Sequence, residues 1–287
     1  MEESFLKESL RYLKKSKSAM LGLFIIILLV VMAIIAPLIS PHNPIAQDLY
    51  NNFKPGFWAG NYNNFLGTDE FGRDLLSRII YGARISLTVG LIATTIGVLL
   101  GSIGGILAGF LGGWVDNIIM RIVDIMFSLP SILLAIVIVA VFGRGLGKTM
   151  IAVGITYIPQ IVRIVRSKTI TVRNAEYIEA AKAIGCPTLR TMLIHIVPNV
   201  TSIIIVYATL SIGSAMIDAA ALGFLGLGAQ PPTPEWGAML ASSNDYITGG
   251  FWWIATFPGI AILISVLGFN LLGDGLRDVM DPKLRRK

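Results

Sequence analysis

The chain has 287 residues, 54% of them apolar and 14% charged, with a formal charge of +6 and a mean hydropathy of +0.74. A soluble core does not need so much apolar surface, so the bilayer is the expected solvent and the length-to-domain rules of soluble chains do not apply. The single Cys186 excludes an internal disulfide framework and a cysteine-only zinc cage, and His42 and His195 lie too far apart in sequence to suggest a shared metal site.

A hydrocarbon core about 30 Å thick is crossed by roughly 20 apolar residues in helix. Six stretches qualify: residues 20–39, 84–112, 120–142, 148–168, 197–226 and 252–272. The expected fold class is all-α and polytopic, with six transmembrane helices. Counted on alternate sides of these spans, the 23 Lys and Arg residues divide 17 to 6. That bias places both termini in the cytoplasm and turns the basic charge into a topology signal, with no nucleic-acid partner expected. The apolar run from Leu21 to Ala36 is long for a signal peptide and no A-x-A site follows it, so residues 1–19 read as a cytoplasmic segment before a retained first helix.

The outer segment 40–83 opens rich in Pro and Asn, then becomes GTDEFGRDLLSRIIYGARISL from Gly67. Leu75, Leu76, Ile79 and Ile80 share one helical face, and Asp74 and Arg78 stand four apart as a possible ion pair. Two readings fit: an amphipathic helix on the outer membrane surface, or the solvated start of the second span. In that span Gly97, Gly101, Gly105, Gly109 and Gly113 recur every four residues. Overlapping G-x-x-x-G steps form a side-chain-free stripe that admits another helix, and its slow drift favours a crossing contact. The partner is either a subunit interface or pore wall, or a helix of the same chain.

GRGLGKT at 143–149 is near a phosphate-binding loop, but that pattern needs glycine where Phe142 stands and a strand before it. Gly143, Gly145 and Gly147 read instead as turn residues, and no ATP hydrolysis is expected of this chain. Asp218 is the clearest ionisable group inside a span, where it must be paired or face water. It either lines a path or is held structurally by Ser214 or a neighbouring helix. Asn270, near the end of the last span, reads as a packing hydrogen bond and as the second pathway candidate. The segment 228–252 has no Lys or Arg and is expected outside, where Pro231, Pro232 and Pro234 stiffen a surface for a partner. Trp236, Trp252 and Trp253 are candidate headgroup anchors.

Residues 174–198 form a polar, helix-patterned island between two apolar stretches. Asn174 suits an N-cap with Glu176 in the first turn, and Ile178, Ala181 and Ile184 give a narrow apolar strip. Gly185 suits a left-handed terminator and Pro187 the opening of the next helix, so two short helices at an angle are predicted. Small alanines stand between charges, leaving room for a partner's groove, while Glu179 and Lys182 can fix register.

EYIEAAKAIG with HIVPN, the LGTDEFGRDLLSRIIYGARISL segment, GGWVDNIIMRIVD, FLGLGAQPPTPEWG, FPG and FNLLGDGLRDVMDP occur in one order. Across residues 66–284 the chain resembles the dipeptide/oligopeptide (and nickel) permease family of ABC importers, and within it the second of two permease subunits. The resemblance implies a type I importer permease fold, with a five-helix core over 84–273, a coupling loop over 169–196 and a cytoplasmic tail over 274–287. It assigns Glu179, Ala180, Ala181, Lys182, Gly185 and Pro198 to ATPase coupling, while Gly97, Gly101, Gly105 and Gly109 are packing positions on the spacing of the stripe alone. It also implies a location in the inner membrane, a homologous permease partner, two ATP-binding subunits and an extracytoplasmic binding protein. No cofactor is expected on this chain, because ATP and Mg²⁺ belong to the ATPase subunits. The substrates implied are di- or oligopeptides, with nickel chelates, glutathione or another small solute as the alternative; a secondary transporter is the remoter rival. Three positions depart from the family pattern: Gly223 replaces the usual Ser, Val197 the usual Leu, and the acidic residue often found at Ala219 is here Asp218.

Overall fold

The computed structural model describes residues 16–280. Nine helices carry the fold among them: α1 Lys17–Ile39, α2 Leu75–Leu111, α3 Gly113–Phe127, α4 Ser131–Phe142, α5 Leu146–Arg173, α6 Glu176–Ala183, α7 Thr188–Phe224, α8 Trp236–Ser243 and α9 Trp253–Met280. The only β-pairing among the described residues is an isolated bridge from Thr68 to Asp74. Helices α1, α2, α5, α7 and α9 are each long and apolar enough to cross a bilayer. The pair α3–α4 makes a sixth span if taken together, but it bends by 93°. The expected straight span over 120–142 is thus broken, because Pro130 disfavours helix at Leu129 and cannot donate a backbone bond. Phe24, Ile27, Leu28 and Ile34 on α1 and Leu91, Leu99 and Ile103 on α2 remain exposed, an apolar belt that lipid covers.

The second span begins earlier than 84. Residues 75–111 form one uninterrupted helix, so no separate amphipathic helix lies on the surface. The first turns of α2 are buried instead: Leu75, Ser77, Arg78, Ile80 and Ala83 pack into the rest of the chain.

The glycine stripe of α2 faces α5 of the same chain, not another subunit. A Cβ at Gly97 would stand 2.7 Å from the Tyr157 Cβ, at Gly101 2.6 Å from the Ile161 Cβ, at Gly105 2.8 Å from the Val162 carbonyl oxygen and at Gly109 2.7 Å from the Thr169 Cβ. Gly154 of α5 answers from the other side, within 2.8 Å of the Ala93 carbonyl oxygen. Gly113 leaves the stripe, with a φ of +56° and open space around it, because the helix has ended and α3 turns away. Three apolar clusters lie around this seam. One joins α2, α4, α5 and α7 through Ala93, Val139, Val153 and Leu222. The second joins α1, α2, α8 and α9 through Leu29, Leu75, Trp236 and Trp253. The third, at the far end of α2, joins Phe110, Val172, Ile178, Ile196 and Val200.

Overpacking a close-packed seam costs about 1–3 kcal/mol per site. Gly101→Leu and Gly105→Leu are therefore each expected to lower the thermal midpoint of the detergent-purified protein by several degrees. Gly147→Ala, at a helical position with open space, should leave it unchanged or raise it. Equal midpoints for all three variants would show that the seam is not close-packed.

Candidate functional site

Two polar structures cap opposite ends of the bundle. At the end where α2 finishes, α6 is an eight-residue helix. Its N-cap is Ala175, not Asn174; Asn174 closes α5, its backbone N–H donating to the Ile170 carbonyl. Glu176 and Glu179 still lie in the first turn, beside the positive helix end. Ile178 is 0% exposed and sits in the third cluster, against the last turn of α2 and the neighbouring turns of α5 and α7. Ala181 is buried beside it, whereas Ile184, expected on the same strip, is 86% exposed because the helix has already ended. Glu179, Ala180, Lys182 and Gly185 all face outward.

The terminator is a left-handed glycine. Gly185 has a φ of +78°, its N–H donates to the Lys182 carbonyl, and the Cys186 N–H donates to the Ala181 carbonyl. These two bonds satisfy carbonyls that the helix end would leave open. Pro187 then caps α7. The second helix predicted here is not short: it continues through a π-turn at Met192–Ile196 into the long apolar helix 197–224. Pro198 supplies the reason. It lacks an N–H for the carbonyl four residues back and its ring would collide with it, and the wider turn relieves both. The corner 176–190 is thus rigidly joined to three long helices while exposing Tyr177, Ile184 and Leu189 among Glu176, Glu179, Lys182 and Arg190.

The opposite cap is built on GTDEFGRD, residues 67–74. Asp69 accepts from the Phe71 N–H at 3.0 Å, the Arg73 N–H at 2.9 Å and Arg73 Nε at 2.6 Å, and Arg78 Nε lies 3.3 Å away. The expected Asp74–Arg78 pair therefore does not form. Asp74 instead caps α2, accepting from the Ser77 N–H at 2.9 Å and hydroxyl at 2.7 Å, and from Asn64 at 3.0 Å. Arg78 donates to the Pro44 and Pro232 carbonyls at 3.0 and 3.3 Å, joining the 40–66 segment to the 228–252 segment. Gly72, with a φ of +69°, allows Asp48 to approach so closely that a Cβ would overlap its carbonyl oxygen.

The 228–252 segment is not a bare loop. Glu235 caps α8, accepting from the Gly237 and Ala238 N–H groups at 2.9 and 2.8 Å and from the Ser86 hydroxyl at 3.1 Å. Burial nevertheless pushes the Glu235 carboxyl above its ordinary range, against the pull of those donors. Trp236 is 0% exposed and donates to the Ile79 carbonyl at 3.1 Å, and Trp253 donates to the Thr68 carbonyl at 3.1 Å. Two of the three tryptophans expected at the headgroups are therefore core residues, and only Trp252 is exposed. At 143–149, Gly143 and Gly145 have positive φ, whereas Gly147 is helical.

Between the caps, the Tyr157 hydroxyl donates to Asp218 at 2.8 Å, so Asp218 is held by a neighbouring helix. Asp218 remains half-exposed, one turn after the exposed Ser214. The Asn270 side chain is exposed and forms no hydrogen bond among the described residues, so the expected packing bond is absent. No cluster of His, Cys, Asp and Glu suited to a metal occurs among the described residues.

Long helices packed through glycine and a short polar helix standing out at one end are the architecture of a membrane permease, and the comparisons agree. The chain belongs to the family described as the binding-protein-dependent transport system inner membrane component, which matches residues 101–286. Residues 4–55 match the N-terminal transmembrane domain of oligopeptide transport permease C. Among curated relatives it is 49% identical to the di/tripeptide transport system permease protein DppC of Pseudomonas aeruginosa, over 98% of this chain and 93% of that one. It is 47% identical to the dipeptide transport system permease protein DppC of Escherichia coli, over 98% and 94%. It is also 48% identical to the glutathione transport system permease protein GsiD of Shigella flexneri, over 96% and 89%. A solved structure of the MetNI methionine ABC transporter, in inward-facing conformations, shares the fold, with a TM-score of 0.58 at 19% identity over 71% of this chain and 97% of that one. The chain is an ABC-importer permease and a multi-pass membrane protein.

Removing one partner from a buried ionic network costs about 3–5 kcal/mol, because charges are left uncompensated. Asp69→Ala should strand Arg73 and Arg78, lowering the thermal midpoint strongly and exposing the 40–66 segment to proteolysis. An unchanged midpoint with unchanged cleavage would show that Asp69 does not hold the cap.

Proposed function

We propose that this chain is one of two permease subunits in an ATP-driven importer of di- or oligopeptides, and that α6 couples it to an ATPase subunit. Supporting the peptide substrate are the two permeases named for di- and tripeptides, matched along nearly their whole length. The coupling role rests on one observation: α6 is exposed along Glu179, Ala180 and Lys182, yet fixed at Ile178 to the ends of α2, α5 and α7. A displacement of α6 is passed to three long helices together, as a rigid-body switch between two packings requires. Gly185 and Pro198 set the angles of this lever, and Ala181 seats it. ATP and Mg²⁺ are bound by two partner subunits, and this chain carries neither catalysis nor a cofactor of its own.

In this reading the chain lies in the cytoplasmic membrane with both termini and α6 inside, and the GTDEFGRD cap and α8 outside, facing an extracytoplasmic binding protein. The charge bias supports that orientation. A homologous permease completes the translocation path. Asp218, half-exposed on a span, faces that path together with Asn270, since an ionisable group is not left in lipid.

The test is uptake of a labelled dipeptide into proteoliposomes holding both permeases and both ATPases, with binding protein outside and ATP inside. Wild-type uptake should require ATP and be indifferent to an ion gradient; uptake driven by the gradient alone would overturn the reading. Gly185→Val forces a β-branched residue into the left-handed region at a cost of about 1–2 kcal/mol, with no clash to add to it. It should cut uptake severalfold while the complex still assembles, and Gly185→Asn, which tolerates that conformation, should retain most activity. Full uptake by an assembled Gly185→Val complex would remove α6 from the coupling path.

Orientation has its own test. Thr248 is exposed in the turn after α8, so Thr248→Cys in a Cys186→Ser background should react with an impermeant thiol reagent added to intact cells. Labelling only after the inner face is opened would invert the topology.

A further inference from the structure

At the α6 end of the bundle, between α5, α7 and α9, lies a cavity of about 220 Å³. Its polar lining is Lys168, Ser202, Tyr207 and Arg277, with Val206 and Met280 among its apolar walls and no acidic side chain. Among the described residues, none of these four side chains forms an ion pair or a hydrogen bond. Lys168, Ser202 and Tyr207 are half-buried and Arg277 is exposed, so the cavity is open to solutes.

Lys168 stands apart from the other cations near it on α5. Arg163 is paired with Asp124, Arg166 with Asp116, and Arg173 donates to the Gly109 carbonyl at 3.3 Å. Those three arginines tie α5 to α2 and α3, whereas Lys168 is left to the cavity. Asp274 and Asp278 of α9 are exposed, lie outside the lining and pair with neither cation. The lining therefore carries two positive charges that no acid of the cavity offsets.

The cavity continues the face on which Asp218 stands. Tyr207 precedes Asp218 by 11 residues on α7, and Lys168 follows Tyr157, the partner of Asp218, by 11 on α5. Arg277 follows Asn270 by seven on α9. Eleven residues make three helical turns and seven make two, each to within about 20°. Because α5 and α9 run toward the α6 end and α7 away from it, all three steps lead the same way.

We infer that this cavity is an exit station for the C-terminal carboxylate of a peptide leaving the path, held by Lys168 and Arg277 with the Ser202 and Tyr207 hydroxyls beside them. The inference rests on the proposed peptide importer and its orientation. A free peptide carries one amine and one carboxylate, and along this face a mid-span acid is followed by two cations at the inner mouth. The two stations stand roughly 16 Å apart at 1.5 Å per residue, farther than a dipeptide reaches at about 3.5 Å per residue. A dipeptide therefore meets them in succession. Cations open to water hold a carboxylate weakly, which suits a station that must pass its solute on. A lipid phosphate offers the same oxyanion chemistry. The carboxylate is favoured because the lining shares the Asp218 face and includes no residue of the apolar belt on α1 and α2.

The test uses the complete transporter, with both permeases and both ATPases. In proteoliposomes with saturating binding protein, Lys168→Gln and Arg277→Gln should each lower ATP-driven dipeptide uptake severalfold, and together at least tenfold. Lys168→Arg, which keeps the charge, should retain most uptake, with assembly checked by gel filtration. Contact is read with an N-acetylated dipeptide and a carbodiimide on the detergent-purified complex. The activated carboxylate should form an amide with Lys168 Nζ at least fivefold faster than with Lys182, which is exposed on α6, and Arg277→Gln should remove that advantage. Wild-type uptake by the assembled double variant would overturn the station, as would Lys168 labelled no faster than Lys182. An uptake defect present with phosphatidylglycerol but absent in pure phosphatidylcholine would give the site to a lipid phosphate and overturn it too. If the wild-type transporter takes up no dipeptide, the proposed function fails and the station with it, a result distinct from loss in the variants alone.

Discussion

Within a bilayer, apolar side chains gain little by leaving lipid for one another, so helices are held by close contact and polar bonds. The approach of α2 to α5 is the contact on which the rest of this chain depends. Four glycines of α2 bring its backbone against Tyr157, Ile161, Val162 and Thr169, and Gly154 returns the contact from α5. At those four positions α2 contributes no side chain, so α5 packs directly on its backbone and the two helices behave as one stiff rod running between the caps. At one end α2 is locked by Asp74 and Arg78; at the other, Phe110 receives Ile178.

The two ends are held by different physics. The outer cap is directional: buried ion pairs and hydrogen bonds to named carbonyls fix the 40–66 segment, α8 and the start of α9 in one arrangement. Such a network resists sliding, since any shift strands a buried charge. The α6 end is held mainly by apolar contact of Ile178 and Ala181 and by a glycine terminator, which fix position without tying α6 into an ionic lattice. On the proposed reading this is the better division: the face that moves with the ATPases sits on a repackable apolar seat, and the face that meets the binding protein keeps its shape.

Periodicity and charge were enough to read the helical membrane class, the polar island and the left-handed Gly185, because each rests on short-range chemistry. The glycine repeat announced a close contact, but sequence spacing carries no information on which helix fills it, and α5 emerged only from the packing. The cap was misread for a related reason. Asp74 and Arg78 sit at ion-pair spacing on a helix, yet Asp69, in a loop folded back on itself, offers Arg78 a buried carboxylate that local spacing cannot show. The density of Asp, Gly and Arg in GTDEFGRD was the available signal for a folded loop. Trp236 and Trp253 misled because an amphipathic ring suits a headgroup as well as a buried carbonyl. Helix α8 was hidden by prolines before it and by a glutamate, not a common N-cap residue, serving as its cap.

The buried carboxylates of the outer cap, Asp69, Asp74 and Glu235, are each held by donors of this chain. Glu235 accepts from two backbone N–H groups and one hydroxyl, all within its own cap and the adjoining helix, and has no further bond to seek. Gly223 contributes to this: a Cβ there would lie 3.2 Å from both Glu235 Oε2 and the Ala238 nitrogen, so the glycine lets α8 seat closely on α7. Glu70 differs: Oε1 accepts from Arg73 at 3.0 Å, while the enclosed Oε2 accepts no hydrogen bond among the described residues and is stabilised by the charges of Arg73 and Arg78 beside it.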